Sequence, residues 1–416
     1  MNNLETITLD NGLNIYLYND LKKHSTFFQI TTFCGGINKH FIYNNKKYHI
    51  KDGVHHILEH YIVECNDEGN FLDKLGDFQM TTNASTSINN TSYYFQTVEN
   101  VLLGINTILN GIYNVKFDEE KLEKLKNPIC QEIRGKIDNK FYHLNKMRIS
   151  NLFNNIDYVD VGGELSDVED TSIDDLKILY DAFYHPANQF IVIAGNFNKD
   201  EVINTIKSFY DKHKFSDYNT KLIDYDENIS VKKKKDILYF PTSMDYYNIS
   251  FKIDISKYNS NELLDIDFYL NSFFASSFGP TSNLYKKLIN NKIISDYINV
   301  GHSIIDKFLI ISVGAYCYKE DVFKDEVLKL LNDFSLIKKD KFELDKKTSI
   351  ISLILRSENI FKMIMPFIDN LIIYNYPYLD TIDDVKKLNF NDYINCIKNI
   401  DFSNYVEIII KDNKKK

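Results

Sequence analysis

HILEH, at residues 56 to 60, is the stretch of this sequence that says most about fold and function. Residues four apart on a helix lie one above the other, so His56 and His60 can direct their imidazoles at a common point. Glu59 borders that point. Two neutral imidazoles bind zinc well, and a nearby carboxylate can deprotonate water that the metal activates. The pattern predicts a hydrolytic zinc site, against the alternative that both histidines are ordinary surface or core residues of a helix.

The composition limits the class of protein. An apolar content of 44% and a charged content of 26% are typical of a soluble globular protein, and 416 residues suit two domains of about 200 each. The net charge of −9 argues against a general nucleic-acid binder. The sequence shows no apolar run of the roughly 18 residues that a spanning helix needs, and no signal-peptide pattern at its start. Five scattered cysteines without a CxxC pair predict a cytoplasmic location.

The order of strand-like and helix-like segments repeats in the two halves of the chain. In the first half, we expect strands in 5–18 and 25–33, the helix of the HILEH motif, a strand pair in 81–97, helices in 98–114 and after Asp118, and a strand at 189–194. In the second half, we expect strands at 237–240 and 247–253, helices across 262–290, strands at 296–303 and 308–315, helices at 320–333 and 340–375, and a strand at 406–410.

This repetition predicts an α+β fold with two homologous α/β-sandwich halves, each an antiparallel-rich sheet packed by helices, related by a pseudo-twofold axis. The N-terminal zinc-binding domain is expected at 1–215 and the repeated C-terminal domain at 237–416. The polar segment 216–236 between them includes four consecutive lysines at 232–235. We interpret it as a solvated linker, with contact to an acidic partner as the alternative.

Three blocks of the first half carry a resemblance to a known family. GVHHILEH at residues 53–60 contains the H-x-x-E-H signature of the inverzincins, NAST at 83–86 is followed by TSYY at 91–94, and YHPAN lies at 184–188. Together they resemble the pitrilysin/insulinase family of zinc metallopeptidases, in its short branch that includes the mitochondrial processing peptidases. The resemblance spans almost the whole first half and is to the zinc-bearing kind of subunit.

The resemblance implies a third zinc ligand, a glutamate on a later helix, and Glu132 stands at the matching distance from the motif. The alternatives are that Glu132 is a solvent-facing helical residue, or that Cys65 or Cys130 completes the site. The sequence departs from the family where a second glutamate is expected, since that position is Leu125. Pro128 also falls inside the expected helix, where it removes a backbone hydrogen bond.

The substrate residues are also implied by the resemblance. An extended peptide is expected to pair with the edge strand formed by Asn83, Ala84, Ser85 and Thr86, although Asn83 is also explained as an ordinary strand-start residue. The family's second half supplies an arginine and a tyrosine that grip the substrate. Residues 282–297 contain no arginine, and Tyr297 stands near the tyrosine position.

These observations predict a zinc-dependent endopeptidase with one Zn²⁺ per chain, held by His56, His60 and Glu132, with Glu59 as the general base. Its substrates would be short or unfolded peptides, such as leader peptides. The missing arginine suggests a heterodimer in which a homologous subunit supplies the substrate clamp, or otherwise a homodimer, with neither nucleic acid nor membrane as a partner. The alternative is a non-catalytic peptide-binding or assembly subunit, and a zinc enzyme acting on a non-peptide substrate ranks last.

Overall fold

The computed structural model of the chain describes residues 4–156, 159–333 and 337–415. These residues form strands β1 Leu4–Thr8, β2 Asn14–Asn19, β3 Thr26–Thr32, β4 His40–Tyr43, β5 Lys46–His49, β6 Thr81–Thr86, β7 Thr91–Thr97, β8 Gln189–Gly195, β9 Lys221–Leu222, β10 Lys235–Tyr239, β11 Tyr246–Asp254, β12 Asn299–Ile305, β13 Phe308–Tyr316 and β14 Tyr405–Lys411.

The helices are α1 Val54–Glu64, α2 Phe71–Asp77, α3 Val101–Tyr113, α4 Glu119–Ile137, α5 Lys140–Leu152, α6 Leu165–Glu169, α7 Ile173–Phe183, α8 Lys199–Asp211, α9 Ser260–Phe278, α10 Asn283–Asn290, α11 Glu320–Asn332, α12 Lys339–Ser357, α13 Ile360–Tyr374, α14 Ile382–Lys387 and α15 Phe390–Lys398. Short 3-10 helices occupy Pro186–Asn188 and Asn413–Lys415. In the described part of the chain, no helix combines the length and the apolar character needed to cross a membrane.

The chain divides into two compact units. Unit 1 consists of the described residues of Met1–Lys136, Val159–Asp224 and Arg356–Ile372. Unit 2 consists of the described residues of Ile137–Tyr158, Tyr225–Leu355 and Ile373–Lys416. Each unit has a mixed sheet, a set of helices and a hydrophobic core of its own, as the α+β prediction requires.

The main sheet of unit 1 has the strand order β1-β2-β8-β3-β7-β6, so β6 is an edge strand. All of its neighbouring strands are antiparallel except β2 and β8. The predicted run 5–18 proves to be two strands, because a turn between Thr8 and Asn14 folds β1 back on β2. A small second sheet, β5-β4-β9, was not predicted from the sequence.

The predicted helix after the strand pair is present as α3, and its apolar spacing explains its position. Ile105, Ile108 and Ile112 are completely buried in the core of unit 1. The next helix, α4, begins after Asp118, whose side chain accepts a hydrogen bond from the backbone N–H of Lys121. This cap satisfies one of the amides that a helix start leaves without a partner.

Unit 2 is built around a five-stranded sheet with the order β10-β14-β11-β13-β12. Its strands are antiparallel except for the β10–β14 pair. The strands predicted for the second half are all present, and the predicted helical region 340–375 divides into α12 and α13. The repeated α+β organisation expected from the sequence is therefore found in each unit considered by itself.

Two segments belong to a different unit from the one that their position along the chain suggested. Residues 137–156 were expected with the first half, but Leu144 of α5 packs with Tyr246, Ile408 and Ile410 of the unit 2 sheet. Residues 356–372 were expected with the second half, but Phe361 of α13 packs against Phe27, with 5.5 Å between ring centroids. The surface that an apolar helix face covers decides its unit, and chain order does not encode that surface.

The expected linker, 216–236, is not a uniformly solvated segment. Glu227 within it is 4% exposed, and its carboxylate accepts hydrogen bonds from the backbone N–H groups of Asn154, Asn155 and Ile156. Lys252 Nζ lies 2.8 Å from Glu227 Oε1, and both side chains are fully buried. The interpretation of this segment as solvated is wrong at Glu227, where a buried ion pair anchors it within unit 2.

Candidate zinc centre

The motif helix α1 starts at a close approach between two backbone segments. Gly53 precedes the helix with φ at +80°, and a Cβ atom there would lie 2.7 Å from the carbonyl oxygen of Gly162 and 3.0 Å from the Cα of Gly163. Both the left-handed conformation and the lack of space require glycine at this position. The contact fixes the first turn of α1 and therefore the place from which its histidines project.

His56, His60 and Glu132 come together in unit 1. The Nε2 atoms of the two histidines are 3.2 Å apart, and Glu132 Oε2 lies 3.6 Å from His56 Nε2 and 3.8 Å from His60 Nε2. Ligand atoms at about 2.0–2.2 Å from a tetrahedral zinc ion are separated by roughly 3.4 Å. Two imidazole nitrogens and a carboxylate oxygen at these separations fit three of the four positions of a tetrahedral Zn²⁺ site.

The charge states of the three side chains suit metal binding. Burial lowers the pKa of His56 to about 4, with further lowering by His60 and Lys136 against the opposing effect of Glu132. Burial also lowers the pKa of His60. For Glu132, burial acts to raise the pKa, but the hydrogen bond from Lys136 and the nearby imidazoles outweigh it and the pKa is lowered. At neutral pH the donors are thus two neutral imidazoles and a carboxylate, the forms that coordinate zinc.

Glu59 lies beside this group without belonging to it. Its residue is only 7% exposed, and Thr86 Oγ1 donates a hydrogen bond to its Oε2 at 2.6 Å. Burial raises the pKa of Glu59 to about 7, while the hydrogen bond from Thr86 acts in the opposite direction. A carboxylate with a pKa near neutrality can both accept and return a proton, which a general base needs.

Lys136 is a further residue of the site that the sequence analysis did not identify. It lies one helical turn after Glu132 on α4, and its Nζ is 2.7 Å from Glu132 Oε1. Lys136 therefore pairs with Oε1 of Glu132, whereas Oε2 is the oxygen that lies within 4 Å of the two histidines. The signal was present in the sequence, because a glutamate followed by lysine four residues later forms a pair on one helix face.

The alternative ligands lie elsewhere. Cys65 and Cys130 are buried in the hydrophobic core of unit 1 and do not belong to the group formed by the two histidines and Glu132. Burial raises the pKa of the Cys65 thiol to about 11, which disfavours the thiolate that binds metal. His55, next to the first motif histidine, is 1% exposed and is also outside the group.

The two departures from the family pattern are both visible in α4. Leu125 is 5% exposed and packs in the core of unit 1, so an apolar contact occupies the position where a second glutamate was expected. Pro128 lies inside the helix, which nevertheless continues from Glu119 to Ile137 and carries Glu132. The proline therefore does not prevent the helix from presenting that carboxylate to the histidines.

The predicted substrate residues occupy two separate places. Asn83, Ala84, Ser85 and Thr86 form most of the edge strand β6, in which Asn83 and Ser85 are exposed and the other two are partly buried. Tyr297 belongs to unit 2, where it lies two residues before β12 with an exposed side chain. The hydroxyl of Thr86 donates a hydrogen bond to Glu59. The substrate roles themselves remain predictions.

The chain is similar to proteins named as zinc proteases. It is 26% identical over 352 residues to the uncharacterized zinc protease YmfH of Bacillus subtilis, covering 82% of this chain and 81% of that protein. It is 22% identical over 322 residues to the zinc protease PqqE of Helicobacter pylori, covering 73% of this chain and 70% of that protein. These alignments extend through most of each chain and support a common family.

Solved structures show the same fold. A putative M16-like peptidase from Alicyclobacillus acidocaldarius matches with a TM-score of 0.88 and 21% identity, covering 98% of this chain and 97% of that one. Pitrilysin matches with a TM-score of 0.72 and 15% identity, covering 98% of this chain and 44% of the pitrilysin chain. At these identities the likeness concerns the fold alone.

Residues 170–346 match the family model described as the peptidase M16 inactive domain. The matched segment begins after Glu132, so the HILEH motif and the third acidic residue lie outside it. The description "inactive domain" therefore applies to a part of the chain that does not contain the candidate zinc centre. The family model and the zinc-protease relatives together show that this chain is similar to members of the peptidase M16 family.

Proposed function

We propose that this chain is a zinc-dependent endopeptidase that cleaves short or unfolded peptides. One observation carries the proposal: His56, His60 and Glu132 present three donor atoms at separations suited to zinc, with the buried carboxylate of Glu59 beside them. The zinc-protease names of the relatives support the same chemistry. The five cysteines are free thiols, which supports the cytoplasmic location expected from the sequence.

The two imidazoles and the Glu132 carboxylate would hold one Zn²⁺ per chain. When bound, zinc supplies Lewis-acid activation of water and of the scissile carbonyl. Lys136 pairs with one oxygen of Glu132 and so directs the other towards the histidines. An orienting partner of this kind strengthens metal binding without touching the metal.

Glu59 would move the proton. Its carboxylate accepts a proton from the attacking water and later delivers it to the nitrogen of the leaving amine. Its low exposure keeps competing solvent away, and the hydrogen bond from Thr86 limits its rotation. Both properties suit a group that must transfer a proton in one direction and then return it.

The edge strand β6 would receive the substrate. β6 has a neighbouring strand, β7, on one side only. The backbone N–H and C=O groups on the other side of β6 can therefore pair with an extended peptide. Folded proteins rarely offer an unpaired extended segment, and this favours short or unfolded substrates. The last residue of the strand, Thr86, contacts Glu59, which connects the place of pairing with the proposed general base.

We further propose that the chain is the catalytic subunit of a heterodimer. Residues 282–297 carry Tyr297 but no arginine, so a homologous subunit would supply the guanidinium that grips the substrate. Lys286 and Lys287 lie in the same stretch, but an ammonium group lacks the fork geometry of arginine. Without such a partner in the cell, a homodimer is the remaining arrangement.

A zinc titration with matched variants tests the catalytic proposal. The apoprotein should bind one zinc ion tightly and then, with its homologous partner subunit present, hydrolyse an unstructured peptide. E59Q should bind zinc with unchanged stoichiometry and lose hydrolysis, because an amide cannot accept the proton. The control E64Q changes an exposed carboxylate of the same helix and should keep both properties. Hydrolysis by E59Q at the wild-type rate would contradict the proposed role.

A second candidate is a non-catalytic peptide-binding or assembly subunit. The observation on its side is the match of residues 170–346 to a family model named for an inactive domain, although that segment does not include the candidate zinc centre. This candidate predicts no hydrolysis by either the wild type or E59Q, even with a homologous partner present. The two subunit arrangements are distinguished by assaying the purified chain alone. Full hydrolysis by a monomer or homodimer would overturn the heterodimer proposal and leave the zinc chemistry in place.

A further inference from the structure

The hydroxyl of Thr86 makes a direct contact with the proposed general base. Thr86 Oγ1 donates to Glu59 Oε2 at 2.6 Å, a short hydrogen bond to a carboxylate that is almost completely buried. Hydrogen bonds that involve an ionised partner are short and about twice as strong as neutral ones. The contact therefore holds Oε2 of the Glu59 carboxylate against β6.

A second threonine leaves the hydrogen of Thr86 available for this bond. Thr91 Oγ1 lies 3.2 Å from Thr86 Oγ1, so either hydroxyl could in principle donate to the other. Thr91 also donates to the backbone carbonyl of Cys34 at 2.8 Å. Since a hydroxyl has a single hydrogen, Thr91 is committed to that carbonyl and Thr86 keeps its own hydrogen for Glu59.

The backbone of Thr86 is held independently of its side chain. Thr86 is the last residue of β6 and pairs with Thr91 of β7. Alternate residues of a strand face opposite sides, and Asn83 and Ser85 form the exposed side of β6. The side chain of Thr86 therefore lies on the partly buried side of β6, on a strand whose position the sheet fixes.

We propose that Thr86 is a positioning residue for the general base, which acts by fixing the carboxylate of Glu59 from the strand that pairs with substrate. This inference rests on the proposed peptidase function and assigns the side chain of Thr86 a role other than substrate contact. Under this proposal, the same strand, β6, orients the general base Glu59 through Thr86 and pairs with the peptide substrate. Loss of the hydroxyl should then lower the rate of the chemical step and leave substrate affinity and zinc affinity unchanged.

The test compares three variants. T86V keeps the shape of the side chain and removes the hydroxyl, whereas T86S keeps the hydroxyl. T97V is the matched control: Thr97 is buried at the opposite end of β7, about 20 Å along the strand from Thr91, and its hydroxyl makes a hydrogen bond to the carbonyl of Glu99. All three are assayed for kcat, KM and zinc affinity.

We expect T86V to lower kcat about tenfold to a hundredfold, with KM and zinc affinity within about twofold of the wild type. T86S should restore most of kcat, and T97V should leave it unchanged. A raised KM with unchanged kcat in T86V would overturn the inference in favour of a substrate contact. An unchanged kcat, or equal losses in T86V and T97V, would also overturn it.

A structural readout separates this inference from the proposed function. Crystal structures of the zinc-loaded wild type and T86V should show the Glu59 carboxylate in one orientation in the wild type and in more than one in T86V. If Glu59 keeps a single unchanged orientation in T86V, the inference fails whether or not the wild type cleaves peptides. If the wild type does not cleave peptides but T86V releases the carboxylate, only the peptidase proposal fails.

Discussion

Lys136 and Glu132 form a salt bridge within α4, in which one carboxylate oxygen of Glu132 pairs with the lysine and the other lies near the two histidines. Lys136 Nζ lies 2.7 Å from Oε1, while Oε2 is the oxygen within 4 Å of both imidazoles. The glutamate that the family resemblance implied as a neighbour of this ligand is replaced by the buried Leu125. In this chain a lysine one turn further along the helix is thus positioned to orient the carboxylate.

The first prediction concerns this salt bridge. K136Q should weaken zinc binding about tenfold to a hundredfold, because Glu132 would lose the partner that orients it. The measurement is a competition titration with a zinc chelator. K124Q is the control, since Lys124 forms the same kind of pair with Glu120 on the same helix away from the histidines. Equal zinc affinity in K136Q and K124Q would show that the pair does not orient the ligand.

The second prediction concerns the third ligand. E132A should fold like the wild type, because the side chain of Glu132 is 43% exposed. It should lose the stabilisation that zinc gives, which for the wild type is about 2.7 kcal/mol when free zinc is a hundredfold above its Kd. Thermal unfolding with and without zinc measures this difference. E123A, which removes an exposed carboxylate from the same helix, should keep it. Zinc stabilisation of E132A as large as that of the wild type would exclude Glu132 as a ligand.

The third prediction concerns the buried ion pair of unit 2. Burial acts to raise the pKa of Glu227, but the hydrogen bonds from Lys252 and three backbone N–H groups outweigh it and lower the pKa from 4.5 to about 2. A carboxylate with a lowered folded-state pKa adds stability above its unfolded-state pKa and loses it as the pH falls towards the folded-state value. This part of the stability should therefore be complete above about pH 5 and decline steadily from there to pH 2.

Urea denaturation of the wild type and E227Q at pH 6, 4.5 and 3.5 tests this dependence. E227Q should be less stable at pH 6 by about 3–5 kcal/mol, because it leaves the buried Lys252 without its charged partner. The difference from the wild type should shrink as the pH falls. E99Q, at an exposed glutamate, should follow the wild-type curve. A difference in the free energy of unfolding between wild type and E227Q that does not change with pH would contradict the lowered pKa assigned to Glu227. If E227Q does not fold, the double variant K252M/E227Q replaces it.

The sequence predicted those parts of the site that depend on local spacing or on the family motif. His56 and His60 meet because both lie on one helix, and α4 presents Glu132 to them. The alternation of exposed and partly buried residues in β6 was also predictable, because period two is a property of any strand with one buried face.

The remaining features depend on which distant segments meet. The hydroxyl of Thr86 faces Glu59, 27 residues away in the chain, and no local pattern distinguishes it from that of a substrate-facing threonine. The burial of Glu227 depends on a lysine 25 residues away and on three amides of another segment. For the same reason, the unit to which α5 and α13 belong was assigned incorrectly from chain order.

The last prediction concerns the start of the motif helix. Gly53 and Gly69 both have positive φ angles, +80° and +73°, so alanine at either position should cost about 1 kcal/mol or more in backbone strain. They differ in space, because a Cβ at Gly53 meets the carbonyl oxygen of Gly162 at 2.7 Å, whereas a Cβ at Gly69 has no atom within 4 Å. G53A should therefore lose more stability than G69A in urea denaturation. It should also bind zinc more weakly, since relief of the clash displaces the first turn of α1 and with it His56. Equal losses of stability and unchanged zinc affinity in both variants would show that this backbone contact does not position the histidine.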